Sequence, residues 1–209
     1  RIYTTLDLNT QREAEGAVFG RLPNPGFQGD PNDGGHDPDS ALVTVEPRTG
    51  YVKAMVGGKD YFGDTAYSKV NLAVGGGRPT GSSFKGITLA TALKNGIEAN
   101  DSFPSPGQAC FSGWCPSGGG GLGGSARLED CAAFSSNTCF AYLAAKVLGP
   151  QKIRETAYDL GISRDKLKER DGSVNATITL GTYNSTVLEM ASAFSTFANR
   201  GIRVDPVLV

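Results

Sequence analysis

The sequence predicts a mixed α/β fold of the α+β type, with antiparallel strands and helices in separate stretches of the chain. Two observations carry this. ALVTVE (41–46) and YVKAMV (51–56) are β-rich runs joined by Pro47-Arg48-Thr49-Gly50, a turn composition, and so predict a hairpin. Later segments instead place apolar residues at helical spacing, most clearly over 84–93 and 187–197.

The chain has 209 residues, enough for one full domain that buries roughly 70% of the surface its unfolded form exposes. A hydrophobic share of 39% and a charged share of 20% fit a folded core and exclude wholesale disorder. The net charge is −1 and no Lys/Arg run reaches five residues, so the basic footprint of a nucleic-acid partner is missing. No apolar run approaches the roughly 18 residues of a membrane span, and RIYTTLDL has neither the charged end nor the apolar centre of a signal peptide.

In chain order, Thr10-Gln11-Arg12-Glu13 has the S/T-x-x-E form of a capping box and predicts a short helix to about Leu22. Residues 23–40 are crowded with Pro, Gly, Asp and Asn and read as a loop. Its acidic residues and the single histidine, His36, suggest a calcium loop only superficially. Counting from Asp30 puts Ala41 where the bidentate Glu belongs. After the hairpin and a long irregular connection, SFKGITLATALKNG predicts a buried helix with Phe84, Ile87, Leu89, Ala90 and Leu93 as its apolar positions and Gly96 as its stop. Residues 100–125, with the glycine run 118–121, read as a surface loop stapled by cysteines. Helical pieces follow at 128–134 and 138–148, interrupted at Ser135-Ser136-Asn137. Further helices are expected at 151–160 and 186–199, the last with Val187, Met190, Ala191, Phe194 and Phe197 on one face.

Cys110, Cys115, Cys131 and Cys139 form an even, clustered set that fits one or two disulfides in an oxidising compartment. Three pairings are open. Free buried thiols and a zinc site are the other readings, and the C-x7-C spacing of the second pair disfavours zinc.

The stretch RPTGSSFK carries the candidate chemistry. Residues three apart share a helix face and residues two apart do not, so Ser82, and not Ser83, can set its hydroxyl beside the amine of Lys85. A serine is a weak nucleophile until a base takes its proton, and a lysine serves if burial lowers its pKa. Gly81 permits a tight turn, and a serine in the first turn lies near free backbone N–H groups that can stabilise an oxyanion. By itself S-x-x-K is equally an N-cap serine before a solvated lysine.

Ser135-Ser136-Asn137 changes that balance. It has the form S-x-N, and S-x-x-K followed by S-x-N marks penicillin-binding proteins and β-lactamases. Around both motifs the chain resembles the transpeptidase domain of class A penicillin-binding proteins nearly end to end. YTTLDLNTQREAE looks like the segment entering that domain, and ALVTVEPRTGYVKAMVGG like its first hairpin. RPTGSSFKGITLATALKNG is similar to the nucleophile helix, FSSNTCFAYLAAKVLG to the second-motif region, and ITLGTYNSTVLEMASAFSTFANRGIRVDP to the segment leading toward the third motif.

The resemblance implies a β-lactamase/transpeptidase-like fold, an antiparallel sheet of about five strands flanked by helices, and a role for each matching residue. Ser82 would attack a D-alanyl-D-alanine peptide and become acylated, with Lys85 as proton acceptor. Ser135 would relay a proton between Lys85 and the leaving amine, and Asn137 would hold Lys85 and the substrate amide. The backbone N–H of Ser82 would supply half of an oxyanion hole. The implied activity is a serine-type D-alanyl-D-alanine transpeptidase that cross-links peptidoglycan stem peptides and is acylated by β-lactams. A serine β-lactamase or D,D-carboxypeptidase, or a non-catalytic β-lactam-sensing or interaction module of the same fold, is the alternative. Neither a metal nor an organic cofactor is indicated. The implied location is the extracytoplasmic face of a bacterial membrane, with the parent anchored by a segment outside this chain.

The family's third motif, K-T-G or K-S-G, does not occur in the 209 residues. Arg48-Thr49-Gly50 is similar in letters but precedes Ser82 and sits where the family has a hairpin turn. Residues 41–209 are therefore expected to be the N-terminal part of the transpeptidase domain, behind a leading segment, short helix and loop over 1–40. The remaining strands would lie elsewhere, on a separate chain if not on this one, because a lone hairpin exposes an apolar edge. The 209 residues alone are expected to be inactive or weakly acylated.

Overall fold

The computed structural model describes residues 1–21, 39–58, 61–62, 68–111, 113–116 and 122–209. They form two compact units, Arg1–Gly77 with Ser185–Val209, and Arg78–Asn184. Most of the 23–40 loop, His36 with its calcium-loop question, and the glycine run 118–121 lie outside the described residues.

In the first unit the expected hairpin is present. Strands β1 (Leu42–Val45) and β2 (Val52–Val56) pair antiparallel with Leu42 opposite Val56 and Thr44 opposite Ala54. Val45 pairs with Val52, which makes Lys53 the extra residue of a bulge, and its carbonyl accepts the N–H of Asp7 at 2.9 Å. Arg48-Thr49-Gly50 belongs to the turn, closed by the Gly50 N–H donating to the Glu46 carbonyl at 2.9 Å. The edge of β2 expected to be bare is partly covered. The Val52 N–H donates to the Val207 carbonyl, and the Val207 N–H to the Gly50 carbonyl, both at 2.9 Å.

Helix α1 (Leu8–Arg21) lays Ala14 and Val18, one turn apart, on Ala54, Val56 and Leu42. It starts three residues earlier than the sequence suggests, because Asp7 and not Thr10 caps it. One Asp7 oxygen accepts the Thr10 N–H at 2.9 Å and the Thr10 hydroxyl at 3.0 Å. These bonds, the backbone one foremost, hold the Asp7 pKa below its ordinary value. A carboxylate at the positive end of a helix outcompetes a threonine hydroxyl.

Helix α6 (Val187–Ala198) opens with a true capping box. The Thr186 hydroxyl accepts the Glu189 N–H at 3.1 Å, and the Glu189 carboxylate accepts the Thr186 N–H at 2.8 Å. Its expected apolar face is corrected. Ser192, Ala193, Ser195 and Thr196 are buried, whereas Phe194 and Phe197 are exposed and stack edge to face at 5.3 Å. Small side chains let α6 lie close against β1, and Ser195 satisfies its hydroxyl by donating to the Ser192 carbonyl at 2.7 Å.

The second unit is helical. A 3-10 turn (Gly81–Phe84) runs into α2 (Lys85–Lys94), which packs on α5 (Pro150–Asp159). Between them come α3 (Leu128–Ala133) and α4 (Asn137–Tyr142), with a short antiparallel ribbon of Ser102–Pro104 and Ser125–Arg127 closing the cysteine loop. Phe84, Ile87, Leu128, Phe140, Leu143, Ile153, Leu167 and Ile178 are fully buried. At roughly 1.5–3 kcal/mol for each large side chain, they are the main hold on this unit.

Two expectations are adjusted here. The buried face of α2 uses Thr88, Thr91 and Ala92, with Leu93 half exposed; Thr91 donates to the Ile87 carbonyl and Thr179 to Thr88, so neither buried hydroxyl is wasted. The 138–148 helix also does not run through as one α-helix. It changes at Leu143–Leu148 into π-helical turns, whose i→i+5 bonding puts more residues in each turn and brings Leu143 and Leu148, five residues apart, toward the same buried side. Gly149, at φ 79°, ends it, and Pro150 opens α5.

Candidate active site

Ser82 lies in the 3-10 turn, not in the first turn of the α-helix. Ser82 and Lys85 keep a common side even so, since residues i and i+3 eclipse in a 3-10 helix. The turn is entered through Gly81 at φ 59°. A second glycine, Gly181 at φ 67°, lies directly against it, and the Gly81 N–H donates to the Gly181 carbonyl at 3.2 Å. A Cβ on Gly181 would fall 2.2 Å from the Gly81 carbonyl oxygen, so only glycine fits. Ser82 is exposed, and among the described residues no hydrogen bond engages its hydroxyl. Ser83 instead donates its hydroxyl to the Thr80 carbonyl at 2.7 Å, a backbone-bonding neighbour as its spacing implied.

Lys85 is the first residue of α2 and only 4% exposed. Its ammonium donates to the Ser135 carbonyl at 2.6 Å, the Ser135 hydroxyl at 2.9 Å and the Asn137 Oδ1 at 2.5 Å, and lies 5.7 Å from the centre of the Phe140 ring. Three N–H bonds thus meet three acceptors, all from one turn. Burial lowers the Lys85 pKa from 10.5 to about 8. Once Lys85 loses a proton, one partner must become a donor to it. A carbonyl and an amide oxygen cannot, so of the three only the Ser135 hydroxyl can reverse.

The turn is built by the ends of two helices. Ser135 follows α3 in the left-handed conformation, φ 52°, where glycine is usual. Its N–H donates to the Ala132 carbonyl and that of Ser136 to the Cys131 carbonyl, a complete Schellman closure. Ser136 then caps α4 by accepting the Cys139 N–H, and Asn137 becomes the first residue of α4. Cys131 and Cys139, both fully buried, are joined by a disulfide that spans the turn. Cys110 and Cys115 form the second disulfide, so the pairing is set and the free-thiol and zinc readings give way.

Ser82, Lys85, Ser135 and Asn137 all belong to the Arg78–Asn184 unit. Lys85, Ser135 and Asn137 make direct contact, and Ser82 stands one 3-10 turn before Lys85. Sequence reasoning missed Ser105 and Thr138, whose hydroxyls brace the same turn, and Gly181, which fixes the serine's turn. An isolated Ser or Thr carries no spacing signal, and LGT (180–182) carries only a lone glycine.

A mixed α/β fold with a serine-lysine turn facing an S-x-N turn defines the β-lactamase-like class of penicillin-recognising domains. The chain belongs to the penicillin-binding protein transpeptidase family: the family described as "Penicillin binding protein transpeptidase domain" matches residues 40–209. It is 34% identical to Penicillin-binding protein 1A of Mycolicibacterium smegmatis over 222 residues and 32% identical to that of Mycobacterium tuberculosis over 233. Each match covers 100% of this chain but only 26% and 24% of the relative, so the chain spans about a quarter of their length. The structure of PonA1 from Mycobacterium tuberculosis in complex with penicillin V superposes with a TM-score of 0.84 at 29% identity, over 100% of this chain and 54% of that one. No helix among the described residues is long and apolar enough to cross a membrane.

Proposed function

We propose that residues 41–209 are part of a serine-type D-alanyl-D-alanine transpeptidase domain, behind a leading segment over 1–40, and that Ser82, Lys85, Ser135 and Asn137 are its nucleophile side. The observation that carries this is the buried Lys85, held by both outer residues of the S-x-N turn and one 3-10 turn from an exposed serine. The penicillin V bound to the related PonA1 supports β-lactams as ligands.

In this reading the Ser82 oxygen attacks the carbonyl carbon of the penultimate D-alanine, and its proton passes to the neutral Lys85 amine. The N–H of Ser82 steadies the oxyanion. The C–N bond then breaks, and the departing D-alanine amine takes a proton from Lys85 through the Ser135 hydroxyl. An acyl ester on Ser82 is left. The amine of a second stem peptide attacks that ester and gives up a proton to the neutral Lys85, a new amide forms, the bond between the acyl carbon and the Ser82 oxygen breaks, and Lys85 passes that proton to the Ser82 oxygen. Asn137 holds Lys85 and the donor peptide's amide. The family's K-T-G or K-S-G strand is not among these 209 residues, so the chain is expected to need that element for full acylation. Two disulfides suit an oxidising, extracytoplasmic location, with anchoring by a segment outside this chain.

The test is a labelled penicillin on the full-length polypeptide encoded by the gene, with mass spectrometry of the labelled peptide and a donor and acceptor stem peptide as substrates. Stable, stoichiometric label on Ser82 and an amide-linked peptide product are expected. Rapid turnover of the lactam would indicate a β-lactamase, free D-alanine without cross-link a carboxypeptidase, and label without turnover of peptides a sensor. Label at another residue would overturn the site assignment.

A further inference from the structure

We propose that Ser105 is a positioning residue for this site: its buried hydroxyl heads a one-way chain of hydrogen bonds that holds the 135–137 turn, and with it the three acceptors around Lys85. The inference rests on the function proposed above.

The direction of the chain is set at its far end. Thr138 must donate its hydroxyl to the Pro106 carbonyl, 2.7 Å away, because a carbonyl can only accept. With that proton committed, the 3.4 Å contact between Ser136 and Thr138 requires Ser136 to donate. The 2.7 Å bond between Ser105 and Ser136 then requires Ser105 to donate. Backbone N–H groups fill the remaining acceptor places, Leu122 on Ser105 at 3.1 Å and Cys139 on Ser136 at 3.3 Å. Every hydroxyl gives one proton and receives at least one. Ser105, Ser136 and Thr138 are 0%, 0% and 2% exposed, so they are partnered by one another and by the backbone and not by bulk water.

The head of the chain is tied to the backbone. Ser105 directly follows the Ser102–Pro104 strand, and its own N–H donates to the Gly124 carbonyl at 2.7 Å. At the other end, Ser136 is the middle residue of the turn, flanked by the two residues that touch Lys85. Ser135 holds a left-handed conformation unfavourable for a non-glycine residue, which persists only where its surroundings over-determine it. The Schellman bonds and the Ser105 chain, which pins the adjacent residue, together supply that determination. Because Ser105 touches neither Lys85 nor Ser82 in the hydrogen-bond network, it acts on the chemistry only through the turn.

The experiment uses the full-length polypeptide encoded by the gene, with a fluorescent penicillin, separating the acylation rate constant from the dissociation constant of the complex before acylation. Ser105→Ala is expected to slow acylation roughly tenfold with less than about a twofold change in that dissociation constant, since misplacement of reacting groups acts on the chemical step. Thr138→Val, which keeps the side-chain shape, should slow it in the same way, and Thr138→Ser, which keeps the hydroxyl, should stay within about twofold of the unaltered protein. If Ser105→Ala gives no folded protein by circular dichroism, the Thr138 pair decides. Ser105→Ala and Thr138→Val both acylating at the unaltered rate would overturn the inference alone, as would Thr138→Ser being as slow as Thr138→Val. An unaltered protein that takes no label would overturn the proposed function and this inference with it.

Discussion

Lys85→Arg keeps a cation in the cradle of Ser135 and Asn137 and removes the neutral amine. With a pKa of about 8, Lys85 is neutral in roughly a tenth of molecules at pH 7, against about one in 3,000 for a lysine at 10.5. Burial therefore raises the supply of base about 300-fold. Arginine is never deprotonated at these pH values, so the variant loses the base and should acylate ~10²–10⁴-fold more slowly. In the unaltered protein, acylation by a fluorescent penicillin should climb about tenfold per pH unit up to about pH 8 and then level off. Stability carries a second sign. The unfolded lysine titrates near 10.5 and the folded one near 8, so between those values the unfolded state binds more protons and stability rises with pH. That limb should be missing from denaturant titrations of Lys85→Arg. An arginine variant within tenfold of the unaltered rate, or an acylation profile flat from pH 6 to 9, would refute Lys85 as the base.

Ser135→Gly should relieve the left-handed backbone strain, leaving thermal stability equal or raised by about 1 kcal/mol, while acylation falls at least tenfold for want of the reversible hydroxyl; thermal melts and labelling together check the split. Gly181→Ala forces a methyl to within 2.2 Å of the Gly81 carbonyl and should displace the Ser82 turn, lowering the melting temperature and abolishing penicillin labelling. Removing the 131–139 disulfide by Cys131→Ala with Cys139→Ala should destabilise by roughly 2–3 kcal/mol, read from urea midpoints, because the closed loop is short.

The sequence made the hairpin legible because alternation and a Pro/Gly turn act locally, and the structure pairs the same residues. Faces of helices were harder to read. Apolar spacing pointed to Phe194 and Phe197, yet α6 buries Ser192 and Ser195: both are small enough for close approach, and Ser195 also back-bonds to its own helix, which makes it cheap to bury. In the site, the spacing of Ser82 and Lys85 and the S-x-N pattern were visible in the letters. The bracing was not. Ser105 meets Ser136 across 31 residues, and Gly181 meets Gly81 across a hundred, contacts that only the packed chain creates. The disulfide pairing was closed to sequence reasoning for a different reason, since four clustered cysteines allow three pairings and composition does not choose among them.

The contact between Gly81 and Gly181 also sets an order of assembly. Short-range pieces such as the 3-10 turn, α2 and the Schellman turn at Ser135 need only neighbouring residues, and such contacts form before long-range ones. The serine's turn, however, is complete only when Ala176–Leu180 has folded onto it and brought Gly181 into place. Acquiring a reactive serine is then a late event in folding, and a nascent chain can be largely helical while still blind to penicillin.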